Sequence, residues 1–257
     1  MIYPNIIYHE DSGTEIFIDT LQQIGNTGNA EIVSFQDSLT GSIRTFNRSL
    51  DPNGVTLFGK VSTDNVDTLR RQLQYIRGKQ IYLMLGAQNM ATLAKIRSFN
   101  LPVSVGTYSP LTLDVVCDGD SEGQFWEAED CTQFGGVITS DCDACMGKCM
   151  ALGAVDTIVY ATVTQDDIVL PEGDYVMFAR VKDTNQVTDD VGISVRNYTD
   201  DDTTVVLLPT VTSDYKVHVQ TFSIGSADAG DDIQFRVYKR SATTNTIYVD
   251  FIGFVRK

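Results

Sequence analysis

From residue 155 to the C-terminus the chain carries no helical period. Seven segments there read as strands: 158–163, 173–181, 191–197, 203–208, 215–224, 232–239 and 247–255. They are rich in valine, isoleucine, tyrosine and phenylalanine, and turn residues separate them at regular intervals. Alternation is clear in Tyr175, Met177, Ala179 and Val181, and again in Val217, Val219 and Thr221. Strands with one apolar face must bury it against another layer, so the pattern predicts two sheets packed face to face, a jelly-roll β-sandwich over 155–257.

The first 116 residues read differently. Candidate strands at 2–8, 14–20 and 31–35 lie among glycines, and a polar stretch, 38–53, resembles an exposed loop or long hairpin. After a β-like run at 55–61, Ser62-Thr63-Asp64 supplies helix N-cap chemistry. Val66, Leu69, Leu73 and Ile76 then recur on one helical face, and Gly78 closes the helix. Strands are expected again at 80–85, 91–99, 101–105 and 111–116. Strands, one helix and more strands predict an α+β domain with a split-barrel-like antiparallel sheet over 1–116. Between the two, 117–154 lacks periodic apolar positions and reads as a cysteine-rich linker.

With 257 residues, two ordinary domains fit the chain. No apolar run of 18 residues occurs, so no helical membrane insertion is expected. The N-terminus reads without a signal peptide, which implies synthesis in a cytoplasm. The net charge of −15 is spread over both halves, and nucleic-acid binding is not expected. The charge is nevertheless clustered. Residues 44–97 hold nine basic side chains against three acidic ones, and 114–143 hold nine acidic ones and no basic one. Opposite patches suit head-to-tail self-association in a ring, and ordinary solvated surface gives the same pattern.

The C-terminal part resembles galactose-binding-like, carbohydrate-binding β-sandwiches. The resemblance is carried by LPEGDYVMFARVKD (170–183), YKVHVQTFSI (215–224), DDIQFRVYK (231–239) and IYVDFIGFVRK (247–257), with the turn Pro171-Glu172-Gly173 and a last strand holding Asp250 and Ile252. The stretch from about 41 to 116, with DNVDTLRRQLQYIRGK, QIYLML, ATLAKIRSF and PLTLDVVCDGD, resembles the distal tail protein of long-tailed (siphovirus-like) phages. That resemblance implies a split barrel with a protruding β-arm, a hexameric ring at the tail tip, and a β-sandwich added at the C-terminus. It further implies a virion location, assembly in the host cytoplasm, and contacts with tail-tip and tail-tube proteins. Tail-tube proteins share the N-terminal fold, so a tail-tube protein with a decoration domain is an alternative.

Cys117, Cys131, Cys142, Cys145 and Cys149 lie within 33 residues. The C-x2-C-x3-C run with a fourth cysteine could hold zinc or an iron–sulfur cluster. Disulfides, leaving one thiol over, and simple free thiols are the rivals. Each would serve to rigidify the segment rather than to catalyse. The acidic runs Asp166-Asp167, Asp189-Asp190, Asp200-Asp201-Asp202 and Asp231-Asp232 could cage a structural calcium ion or be solvated loop charge. Catalysis is not expected: only His9 and His218 exist, His218 reads as a sheet-surface residue, and no nucleophile motif or phosphate loop is present. For glycan contact the candidates on the sandwich are Tyr198, Tyr215 and Tyr238, residues that also serve as core or edge packing. Trp126 falls in the expected linker.

The sequence therefore predicts a non-enzymatic structural protein of a viral tail tip or baseplate. Its sandwich would serve assembly or host-surface glycan contact. A stand-alone secreted glycan-binding module is the alternative, with a carbohydrate-active enzyme third.

Overall fold

The computed structural model describes residues 5–18, 20–26, 55–62, 66–86, 89–102, 108–117, 122–141, 143–145, 147–153, 161–184, 190–207, 209–240 and 245–257. The chain forms two compact units, Met1–Gln124 and Phe125–Lys257. Both are dominated by antiparallel strands, and the described residues include one α-helix. No helix among them is long and apolar enough to cross a membrane.

The first unit contains β1 (Asn5–His9), β2 (Thr14–Ile18), β3 (Thr20–Asn26), β4 (Val55–Ser62), α1 (Val66–Ile76), β5 (Gln80–Leu85), β6 (Met90–Asn100) and β7 (Tyr108–Cys117). Their antiparallel order is β2-β1-β5-β6-β7-β4-β3. Leu73 and Ile76 of α1 are buried with Ile7, Leu57, Ile81, Ile96 and Leu113 of the sheet, so the helix face read from the sequence is the face that packs. Gly78 takes φ +78°, a left-handed conformation that a Cβ disfavours, and its amide donates to the Ile96 carbonyl at 2.9 Å. This is the expected split-barrel-like α+β unit. β3 and β4 pair antiparallel from Thr20↔Lys60 to Asn26↔Val55, and the residues between them, where the β-arm is expected, lie outside the described residues. The expected loop at 38–53, the strand at 31–35 and the N-cap residues 63–64 lie outside the described residues. No strand forms at Leu101–Pro102, and 103–105 are likewise outside.

β8 (Gly123–Glu127), a neighbour of β18, leads into the second unit, a sandwich in which a five-stranded antiparallel sheet packs on the strands paired around β18. Its remaining strands are β9 (Thr132–Phe134), β10 (Gly136–Ser140), β11 (Lys148–Leu152), β12 (Thr162–Val169), β13 (Gly173–Asp183), β14 (Val191–Asn197), β15 (Asp202–Leu207), β16 (Lys216–Ile224), β17 (Asp232–Lys239) and β18 (Ile247–Arg256). One sheet runs β15-β14-β17-β12-β9. The other runs β16-β13-β18-β11-β10. Between them lies one core, in which Ile193, Val195, Phe235 and Val237 of the first sheet pack with Tyr175, Met177, Val249 and Phe254 of the second. Period-two alternation commits each strand to this core on one face.

The linker expectation for 117–154 requires correction. Its described residues from Phe125 onward are structural parts of the sandwich, with β9 an edge of one sheet and β10–β11 completing the other. Met150, Leu152 and Cys131 are core residues, and Trp126 packs on Phe254 with ring centroids 6.1 Å apart. The short strands hide here because glycines and acids interrupt their alternation.

Candidate functional site

The outward face of the sheet β15-β14-β17-β12-β9 gathers the recognisable ligand chemistry. Along β14, Val191, Ile193 and Val195 point into the core, which turns Gly192, Ser194 and Arg196 outward. Along β17, Ile233, Phe235 and Val237 point inward and Gln234, Arg236 and Tyr238 outward. Register then builds rows across the face. Phe134, Thr162, Tyr238 and Gly192 form one row, and Thr164, Arg236 and Ser194 the next. Arg196 pairs with Gln234 in the third. Tyr198 extends β14 by one further step, its amide donating to the Asp232 carbonyl at 2.8 Å.

Tyr238 lies flat on this face because position 192 has no side chain. A Cβ there would stand 2.2 Å from the ring's Cζ and 2.6 Å from both Cε atoms. One ring face is therefore seated on the backbone of β14. Phe134, 55 % exposed, stands two strands away in the same row, about 10 Å at ordinary strand spacing. Tyr198, 54 % exposed, marks the other end of the stripe, about 20 Å along the strands from Tyr238. The Arg236 guanidinium lies 5.7 Å from the Tyr238 ring, and that of Arg196 5.5 Å from the Tyr198 ring. Arg196 also pairs with Asp201. Flat aromatic surface beside hydroxyls and fixed donors is what a polar, ring-shaped ligand such as a sugar requires.

Of the three tyrosines expected at a glycan site, Tyr198 and Tyr238 thus share one face. Tyr215 does not. It is 8 % exposed and belongs to the other sheet's side of the sandwich, packed with Cys149 and Ala144. Its hydroxyl donates to Asp141 at 3.2 Å, and Lys182 and Arg180 stand 4.5 and 4.6 Å from its ring centre. Burial, with Cys149 and the nearby carboxylates, pushes its hydroxyl pKa far up. It is a structural residue. Phe134, Gly192, Arg196 and Arg236 were not singled out from the sequence. The alternation in 191–197 and 232–239 shows which side chains face outward, but not which strands are neighbours.

The cysteines do not converge among the described residues. Cys117, Cys131, Cys145 and Cys149 are free thiols, Cys117 lies in the first unit, and Cys142 lies outside the described residues. Burial raises Cys117 and Cys131 to about 12 and Cys149 to about 11. Cys145 sits in a polar cluster beneath the outer face of the second sheet. Its amide donates to Asp250 at 3.0 Å, and Arg180 bridges Asp250, the Asp143 carbonyl and the Cys145 thiol at 2.5, 3.1 and 3.7 Å. Glu127 is fully buried nearby with both carboxylate oxygens unpartnered. Burial above all, then the field of Asp250, raises it to about 9, so it is a neutral acid at pH 7.

Among the described residues, the carboxylates grouped closely enough to hold a metal ion are Asp200, Asp228 and Asp231, whose oxygens lie within 4.8 Å of one another. Their hard oxygen donors suit calcium. The Asn197 amide already donates to Asp228 at 3.3 Å and Asp231 at 2.7 Å. Of the other expected acids, Asp190 instead pairs with Lys239 at 3.2 Å in a buried network completed by Asn245 and Asp183. His218, expected at the sheet surface, is half-exposed. Its Nε2 is buried without a hydrogen bond, and burial lowers its pKa to about 4.

No family model and no curated protein sequence matches the chain. Solved structures with partial similarity include an isomalto-dextranase of Arthrobacter globiformis T6 complexed with panose, at 11 % identity and TM-score 0.42, over 68 % of this chain and 36 % of that one. The chain therefore spans about a third of that protein's length. Another is the C-terminal CBM6 of a marine laminarinase from Zobellia galactanivorans, at 17 % identity and TM-score 0.39, over 52 % of this chain and 99 % of that one. A third is a carbohydrate-binding module of Cellvibrio mixtus lichenase 5A in complex with cellotriose, at 13 % identity and TM-score 0.38, over 52 % and 96 %. The sandwich assignment itself rests on the pairing and shared core of the two sheets.

Proposed function

We propose that the chain is a non-enzymatic structural protein whose sandwich unit contacts glycan on the outward face of its β15-β14-β17-β12-β9 sheet. The observation that carries this is the Tyr238 ring laid flat over Gly192, with Phe134 in its row and Tyr198 at the far end of the stripe. A flat ring held by the backbone beneath it offers apolar surface to the C–H face of a sugar at little entropic cost. In the finer reading, copies assemble into a ring at a viral tail tip and carry the sandwich as an appendage. What supports that is the order of the chain: a strand-rich unit with one α-helix among its described residues and an antiparallel β3–β4 pair, followed by a sandwich. Calcium, if used, would be held by Asp200, Asp228 and Asp231, and would raise the melting temperature relative to chelator.

Affinity electrophoresis of the whole chain through gels containing soluble polysaccharides tests the glycan reading. Retardation by at least one polysaccharide, removed by Tyr238→Ala with an unchanged melting temperature, is expected. Retardation that survives Tyr238→Ala would place contact elsewhere. Light scattering tests assembly, and a strictly monomeric chain at high concentration would overturn the ring.

A further inference from the structure

We infer that the ligand of this face carries a carboxylate, as in a uronic-acid polysaccharide, and that Arg236 is its anchor. The inference rests on the glycan reading above and names the class of sugar. Arg236 stands in the middle row, flanked in register by Thr164 and Ser194. It is half-buried, yet among the described residues it makes no hydrogen bond and no ion pair, and its guanidinium lies 5.7 Å from the Tyr238 ring. Guanidinium donors placed in this way are normally answered by a carboxylate or phosphate in forked geometry.

The neighbours make the missing anion more conspicuous. Arg196 lies diagonally across the pair β14–β17 and lowers the pKa of Arg236, as does burial, the larger cause. Two cations on one sheet face repel, and Asp201 pairs with Arg196 only. Asp166, on the irregular part of β12, contributes a favourable field at Arg236 but forms no ion pair with it. Arg236 is thus a guanidinium without an ion pair on a face where Arg196 already has one. A ring carboxylate accepting both donors of Arg236, with its sugar face on Tyr238, answers the guanidinium and covers the ring, while Thr164 and Ser194 lie buried beside Arg236 in the same row. Phosphate offers the same fork without a ring to cover Tyr238, so free phosphate is the control anion.

Calorimetric titration of the whole chain decides it. The probes are oligomers of galacturonic, glucuronic and mannuronic acid, their carboxyl-reduced neutral counterparts, and inorganic phosphate. One acidic oligomer is expected to bind at least tenfold more tightly than its reduced form. Arg236→Gln should erase that difference, while Arg236→Lys, which keeps the charge without the fork, retains part of it. Circular dichroism melts confirm that the variants fold. Equal binding of acidic and reduced oligomers would overturn the carboxylate inference and leave the glycan reading standing. Binding of phosphate as tight as any oligomer would overturn it as well, and failure of every oligomer would overturn both.

Discussion

Arg180 and Asp250 meet at 2.5 Å because β18 carries one residue more than the strand opposite it. Arg180 faces Phe251 and Val181 faces Val249, so Asp250 is the extra residue of a β-bulge. The bulge sets Asp250 and Phe251 on the same side as Arg180, away from the core, and restores Ile252 and Phe254 to it. Asp250 also receives the Cys145 amide, so the bulge pins the cysteine-bearing turn to the sheet.

Removing one partner of this pair leaves a buried charge unanswered. Asp250→Ala is expected to destabilise the sandwich by about 3–5 kcal/mol in urea unfolding. The double variant Arg180→Met with Asp250→Leu should recover most of that loss. A single-variant cost below about 1 kcal/mol would show that the pair is solvated in solution.

Gly192→Ala should act on binding more than on stability. The new Cβ collides with the ring of Tyr238, which is partly exposed and can swing outward. Glycan affinity is expected to fall at least tenfold, with a stability change within about 1 kcal/mol. Unchanged affinity would separate the seated ring from recognition.

Glu127 provides a pH signature with a defined sign. Its folded pKa of about 9 exceeds the ordinary glutamate value, so the native state holds the proton more tightly than the unfolded chain. Its stabilising effect is complete below about pH 4.5 and is lost as pH rises toward 9. Between pH 5 and 7 the loss is on the order of 3 kcal/mol. The parent minus Glu127→Gln difference in unfolding free energy should follow that slope. Measuring against the variant cancels His218, whose lowered pKa destabilises in the opposite direction below about pH 6.5. A flat difference across pH 5–9 would mean that water reaches Glu127.

The thiols test the same burial chemically. Cys117 and Cys131 are buried with pKa values near 12. At pH 8 their alkylation is expected to run at least ~100-fold slower in the native protein than in denaturant, read by mass spectrometry of digested peptides. Mass analysis without reductant also reports the state of Cys142. A peptide linked to Cys142 would show that one of the other four cysteines, free in this structure, is bonded in solution.

Much of the scaffold was legible in the sequence, for local reasons. Strands at 191–197 and 232–239 form with the predicted bounds, because alternating apolar residues define both their length and their inward face. Helix α1 follows from the spacing of Val66, Leu69, Leu73 and Ile76. The short strands β9–β11 were not legible: glycines and acids break the period, and long-range pairing decides the structure there. The same limit put Tyr215 among the ligand candidates, since burial beneath a cysteine-bearing turn leaves no local mark.

By itself, then, the sequence determined the β-rich character of the chain, the one helix, and which side chains along each strand oppose the core. Those follow from periodicity, which is a property of neighbours along the chain. Tertiary structure alone decided that Tyr238 lies on Gly192, that Arg236 and Arg196 meet on one face, and that Asp250 reaches Arg180. Each depends on strand order, register and a single-residue bulge. One step of register turns every side chain of a strand to the opposite face, so no reading of isolated strands contains them.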